Sequence, residues 1–122
     1  MIHPVDIHVG ARLRAFRKEA RMSQETLAGH LGVTFQQVQK YERGTNRISA
    51  SKLFEAAELL RMPIALFFEG LEGGQGGAKD PLLALVAGDP ELRRLIRLYL
   101  SLPSEEARRR ILEAVEIIAR PV

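Results

Sequence analysis

The sequence predicts an all-α protein, with five helices first, then a glycine-rich linker, then further helices at the C-terminal end. Three observations carry that expectation. Apolar residues recur at helical spacing through most of the 122 residues. Each periodic run opens on a capping residue, from Ser23, Thr34 and Ser49 to the Asp-Pro pairs at 80–81 and 89–90. No run reads convincingly as a strand, and no internal repeat is visible.

Residues 6–21 read as an amphipathic helix, with Val9, Leu13, Phe16 and Ala20 on one face and Arg12, Arg14, Lys18 and Arg21 elsewhere. Asp6 is its expected cap. Ser23 caps the next helix, 24–31, whose apolar stripe is Leu27, Ala28 and Leu31. Ala28 is small enough for a second helix to approach closely. Gly32 can take the left-handed conformation that ends a helix sharply. Thr34 starts a helix over 34–42, with Val38 and Tyr41 inward and Phe35, Gln36, Gln37, Gln39 and Lys40 projecting elsewhere. Gly44-Thr45-Asn46 is a loop by composition. Ser49 caps a fourth helix, about 50–61, with Leu53, Phe54, Ala57 and Leu60 as its core side. Pro63 opens a short fifth helix ending near Phe68. Five glycines make residues 70–79 a linker, because ordering them is entropically expensive. Helices are then expected over about 81–87, 90–101 and 104–119.

The outward face of helix 34–42 is its chemistry. Three glutamines and a lysine suit base edges in the DNA major groove, where amides donate and accept together and lysine reaches guanine or phosphate. The stretch SQETLAGHLGVTFQQVQKYERG, residues 23–44, resembles the helix-turn-helix of the Cro/cI-type repressors, the XRE family. The residues that carry the resemblance are Ser23-Gln24, Leu27-Ala28, Leu31-Gly32-Val33, Val38 and Tyr41-Glu42-Arg43-Gly44. Leu13 and Arg17 extend it upstream. Ile48-Ser49, Leu53, Ala56, Leu59 and Leu60 extend it downstream.

The resemblance implies a lambda-repressor-like domain over residues 1–69 that binds double-stranded DNA. Gln36, Gln37 and Lys40 would read bases. Phe35 departs from the family pattern, in which a small or polar residue is usual; it either packs on a thymine methyl or folds back on the protein. Gln24 matches a phosphate-touching position, and Thr34, Arg43, Thr45, Asn46 and Arg47 resemble further phosphate contacts. Arg17 and Glu42 match positions that pair with each other. The family commonly reads inverted repeats as dimers, so a repressor is the function implied. The helices of 80–122 then become candidates for homodimerisation, or for docking a protein partner or effector. An alternative reading is an antitoxin-type DNA-binding module whose C-terminal segment binds a partner protein.

Composition agrees and excludes much else. The net charge of +3 lies wholly in the first part: residues 1–69 hold ten Lys/Arg against seven Asp/Glu, and residues 70–122 hold eight against eight. That mildly favours a polyanion partner there. The absence of cysteine excludes disulfides and cysteine-ligated zinc. No apolar run reaches the roughly 20 residues of a membrane span. The N-terminus has no signal-peptide pattern, so a cytoplasmic protein, on the nucleoid when DNA-bound, is expected. His3, His8 and His30 fall in different elements with no matching carboxylates, so no metal, cofactor or catalytic site is expected. The glycines at 73–77 lack the GK[ST] ending of a phosphate loop. Arg108-Arg109-Arg110 reads as a solvated helix face with i,i+4 pairs.

Overall fold

The computed structural model describes residues 2–71 and 80–121. These residues form seven α-helices, one 3-10 turn and no strand. The helices are α1 (Pro4–Glu19), α2 (Gln24–Leu31), α3 (Phe35–Arg43), α4 (Ala50–Leu60), α5 (Pro81–Gly88), α6 (Pro90–Leu100) and α7 (Glu105–Ala119). The expected linker falls outside the described residues except for Gly70 and Leu71.

Local chemistry sets most helix starts. Ser23, Thr34, Ser49 and Ser104 each accept a hydrogen bond from a backbone N–H three residues on. Asp80 and Asp89 accept from the first turns of α5 and α6, each with proline at the first helical position. The start of α1 differs from expectation. His3 is its cap, accepting from the Val5 N–H through Nδ1, and Pro4 opens the helix two residues early. Asp6 lies in the first turn and pairs with Arg47 instead.

One core joins α1 to α6 and the 3-10 turn. Leu13, Phe16, Leu27, Leu31, Val38, Leu60 and Leu66 are almost wholly excluded from solvent. Phe67 meets Phe16 edge to face, with centroids 5.0 Å apart. Two sequence expectations fail here. Phe54 was assigned to the core side of α4, yet it is 55% exposed. The buried stripe is Leu53, Ala56, Ala57 and Leu60, at i, i+3, i+4 and i+7, and Ala56 faces the core because little room remains there. The fifth helix is a single 3-10 turn, Ile64–Phe67, long enough to bury Leu66 and Phe67 and no more.

The core continues past residue 69. Val86 and Ala87 of α5 belong to the same apolar cluster, with Leu83, Leu92 and Ile96 packed against it. Polar contacts fix this arrangement. Arg12 donates to the carbonyls of Ala87 (3.2 Å) and Glu69 (3.1 Å), and His8 Nε2 donates to the same Glu69 oxygen. Arg93 is buried beneath α6. It donates twice to Glu19 (2.8 and 2.6 Å) and twice to the last carbonyls of α5. Its guanidinium also lies 5.3 Å from the Phe16 ring centroid. Arg97 adds a third bond to Glu19 at 2.7 Å. Burial alone raises the Glu19 carboxyl pKa, but the bonds and charge of Arg93, then of Arg97, outweigh it and hold the group below its ordinary value.

The last helix is different. No residue of α7 is buried. It meets α6 beside Tyr99, whose ring lies 5.4 Å from the Arg108 guanidinium. Arg110 pairs with Glu106 along the exposed side, as the i,i+4 spacing implies.

Candidate nucleic-acid interface

The helix-turn-helix is built from two glycine-terminated helices. Gly32 and Gly44 end α2 and α3 at φ 67° and 74°, where other residues are strained. Gly44 has a second reason to lack a side chain, since a Cβ there would sit 2.6 Å from Ile7 Cα. Gly10 does the same for the middle of α1. A Cβ on it would lie 2.1 Å from the Tyr41 carbonyl oxygen. Two side-chain-free contacts therefore let α1 lie directly on the back of α3.

That seating is locked by a buried charge network. Arg17 donates to Glu42 through Nε (2.6 Å) and Nη2 (3.0 Å), and through Nη1 to the Met22 carbonyl (2.8 Å). The two side chains are 9% and 2% exposed. Gln24 Nε2 donates to the same carboxylate at 2.9 Å. One carboxylate thus ties α1, α2 and α3 together. The amide nitrogen of Gln24, matched by resemblance to a phosphate-touching position, is engaged here inside the protein.

With Val38, Tyr41 and Glu42 buried, the opposite side of α3 faces solvent. Gln36, Lys40 and Arg43 follow each other at i, i+4 and i+7 and are all exposed. Gln37 and Gln39 are half-buried at the flanks, and Phe35 is partly exposed at the first turn. Arg43 was expected in the loop beyond this helix. It is instead the last helical residue, because the chain leaves the helix only at Gly44. Beyond it, Thr45 and Asn46 both donate to the Lys40 carbonyl, so the loop folds back over the helix end. Arg47 is 71% exposed and reaches Asp6 at 3.2 Å, a pairing too solvated to hold it firmly. Thr34 is exposed, and its hydroxyl caps α3.

Gln36, Lys40 and Arg43 thus share one exposed side of α3, and Thr45, Asn46 and Arg47 are exposed in the loop that follows it. Gln24 is half-buried, with its amide nitrogen on Glu42. Sequence reading missed Gly10 and the Glu19–Arg93 contact. A glycine inside an amphipathic helix is the one signal that pointed to the first. Among the described residues no cluster of His, Cys, Asp or Glu suits a metal, and no helix is long and apolar enough to cross a membrane.

Residues 13–67 match the helix-turn-helix family HTH_3. An uncharacterised HTH-type transcriptional regulator of Sinorhizobium medicae is 38% identical over 126 aligned positions, covering 96% of this chain and 90% of the relative. The chain belongs to the XRE-type helix-turn-helix transcriptional regulators. It is a DNA-binding protein, not an enzyme. A second relative of this regulator is an uncharacterised transcriptional regulator in the ATPase CF(0) region of Rhodospirillum rubrum. It is 58% identical over 73 positions, 60% of this chain and 68% of its own length. Among solved structures the clp gene regulator ClgR of Corynebacterium glutamicum shares the fold. Its TM-score is 0.54 at 24% identity, covering 85% of this chain and all of that one.

Proposed function

We propose that this regulator is a repressor that reads an inverted repeat as a homodimer, with α3 in the major groove. The observation that carries the proposal is the exposed row of Gln36, Lys40 and Arg43 on a helix whose other sides are held by the core. Gln36, Gln37 and Lys40 read base edges, and Phe35 covers a thymine methyl or packs back on the protein. Thr34, Arg43, Thr45, Asn46 and Arg47 hold phosphates and set the register, and Gln24 adds its backbone N–H at the start of α2, since its side-chain amide is held by Glu42. The protein works in the cytoplasm, on the nucleoid.

Base and phosphate contacts separate experimentally. Gln36→Ala, Gln37→Ala and Lys40→Ala are expected to weaken the selected site by roughly 1–3 kcal/mol each while sparing random duplex. Thr45→Ala and Arg47→Ala are expected to weaken both DNAs alike. The measurement is a fluorescence titration of each variant on both duplexes after site selection from a random pool. Full discrimination in the Gln36 and Gln37 variants would move the reading surface elsewhere.

The dimer rests on α7. A 15-residue helix with no buried residue gains little from propensity alone and needs an apolar partner. Between α6 and α7 lies an apolar groove of about 380 Å³, lined by Leu95, Tyr99, Ile111, Leu112 and Val115, and Ile118 beyond it is 82% exposed. A second copy supplies the matching surface, and twofold symmetry presents two α3 helices to successive grooves ~34 Å apart. A chain ending at Leu102 keeps the shared core. It is expected to stay folded, sediment as a monomer and lose most of its affinity for a paired site while keeping that for a half-site. A full-length protein that sediments as a monomer at tens of micromolar would exclude the dimer.

A further inference from the structure

We propose that the cleft between the C-terminal ends of α1 and α4 and the outer side of α6 binds a small organic polyanion, with clustered phosphate or carboxylate oxygens on an apolar body. The cleft has a volume of about 450 Å³ and is lined by Arg21, Arg61, Arg94 and Arg97. Met22, Leu59 and Leu98 also line it, giving an apolar surface beside the charges. An adjoining depression shares Arg21, Arg94 and Arg97 and adds Lys18. Five cations therefore converge on two joined hollows. The carboxylates facing them are Glu19 and Glu91, and Glu19 is already engaged by Arg93 and Arg97. Among the described residues Arg21, Arg61 and Arg94 form no ion pair, and Arg97 Nε is buried without an acceptor.

The backbone gives an independent reason. Four helices of the first half end through a left-handed residue. In α2 and α3 that residue is glycine, the type that adopts it without strain. In α1 and α4 it is Arg21 (φ 56°) and Arg61 (φ 55°), and both line the cleft. The helix macrodipole favours a cation near each of these ends. It does not explain why arginine occupies the glycine position itself, nor why Arg94 and Arg97 of α6 close on the same hollow. Guanidinium forks matched to planar or tetrahedral oxyanions explain both. A ligand there would touch α1, α4 and α6 together.

Calorimetric titration of the DNA-free full-length protein tests this, at constant ionic strength in a chloride buffer. The probes are inorganic pyrophosphate, citrate and adenosine monophosphate. Saturable binding of at least one probe at one site per chain is expected, weakened at least tenfold by Arg94→Ala and by Arg21→Gly. The glycine variant keeps the fold, since glycine suits that backbone better than arginine. Binding of pyrophosphate and the nucleotide without citrate would assign the site to phosphorylated ligands; binding of citrate alone would assign it to polycarboxylates. No heat beyond the matched chloride control would overturn the proposal, as would binding that both variants retain. An Arg94→Ala protein that binds no probe but shows a salt slope for duplex DNA reduced by about one would overturn it too, giving these arginines to the DNA interface.

Discussion

A protein carrying Arg17→Met is expected to lose on the order of 3 kcal/mol of stability, the scale for removing one member of a buried ion pair. In a domain of this size that lowers the thermal midpoint by roughly 10–20 °C. The cost comes from Glu42 more than from the vanished bond. Its carboxylate is 2% exposed and would keep only the Gln24 amide as partner. Removing both charges as Arg17→Met with Glu42→Leu is therefore expected to recover much of the loss. Circular-dichroism melts of the single and double variants measure this. A single variant that melts with the native protein would mean that water reaches Glu42.

Gly10→Ala is expected to be as damaging by a different route. The new Cβ would meet a backbone oxygen, Tyr41 O, at 2.1 Å, so no side chain can turn aside. Either α1 lifts from α3 or the recognition helix is displaced. Overpacking of this kind commonly costs about 1–3 kcal/mol and more where backbone must move. The control is Gly29→Ala, in the interior of α2 with nothing within 4 Å of the new carbon. That change is expected to stabilise by roughly 0.5–1 kcal/mol. Urea titrations of the two variants should shift in opposite directions. Equal midpoints for Gly10→Ala and the native protein would show that the α1–α3 spacing is loose.

Most of what is local was legible in the sequence; the His3 cap of α1, a contact two residues long, was not. The caps at Ser23, Thr34, Ser49, Asp80 and Asp89, and the glycine stops at 32 and 44, act within a few residues and are visible as residue types in order. The exposed row on α3 was legible for the same reason, since burial of Val38 and Tyr41 leaves only one side free. What else failed depended on partners far along the chain. Leu53-Phe54 offers two apolar residues for one inward position, and only the space left by α1 and the 3-10 turn decides between them. Glu19 and Arg93 are 74 residues apart, and nothing in either neighbourhood announces the other.

Arg17 and Glu19 stand two positions apart on one helical turn, so their side chains leave α1 in nearly opposite directions. Arg17 grips the recognition helix and Glu19 grips α6. The end of α1 thus holds α3 on one side and α6 on the other. Thermodynamic reciprocity then constrains the molecule. Any displacement of α6 that alters operator affinity by some factor must itself be favoured or opposed by operator binding by the same factor. DNA occupancy and the position of α6 would then be linked through the end of α1.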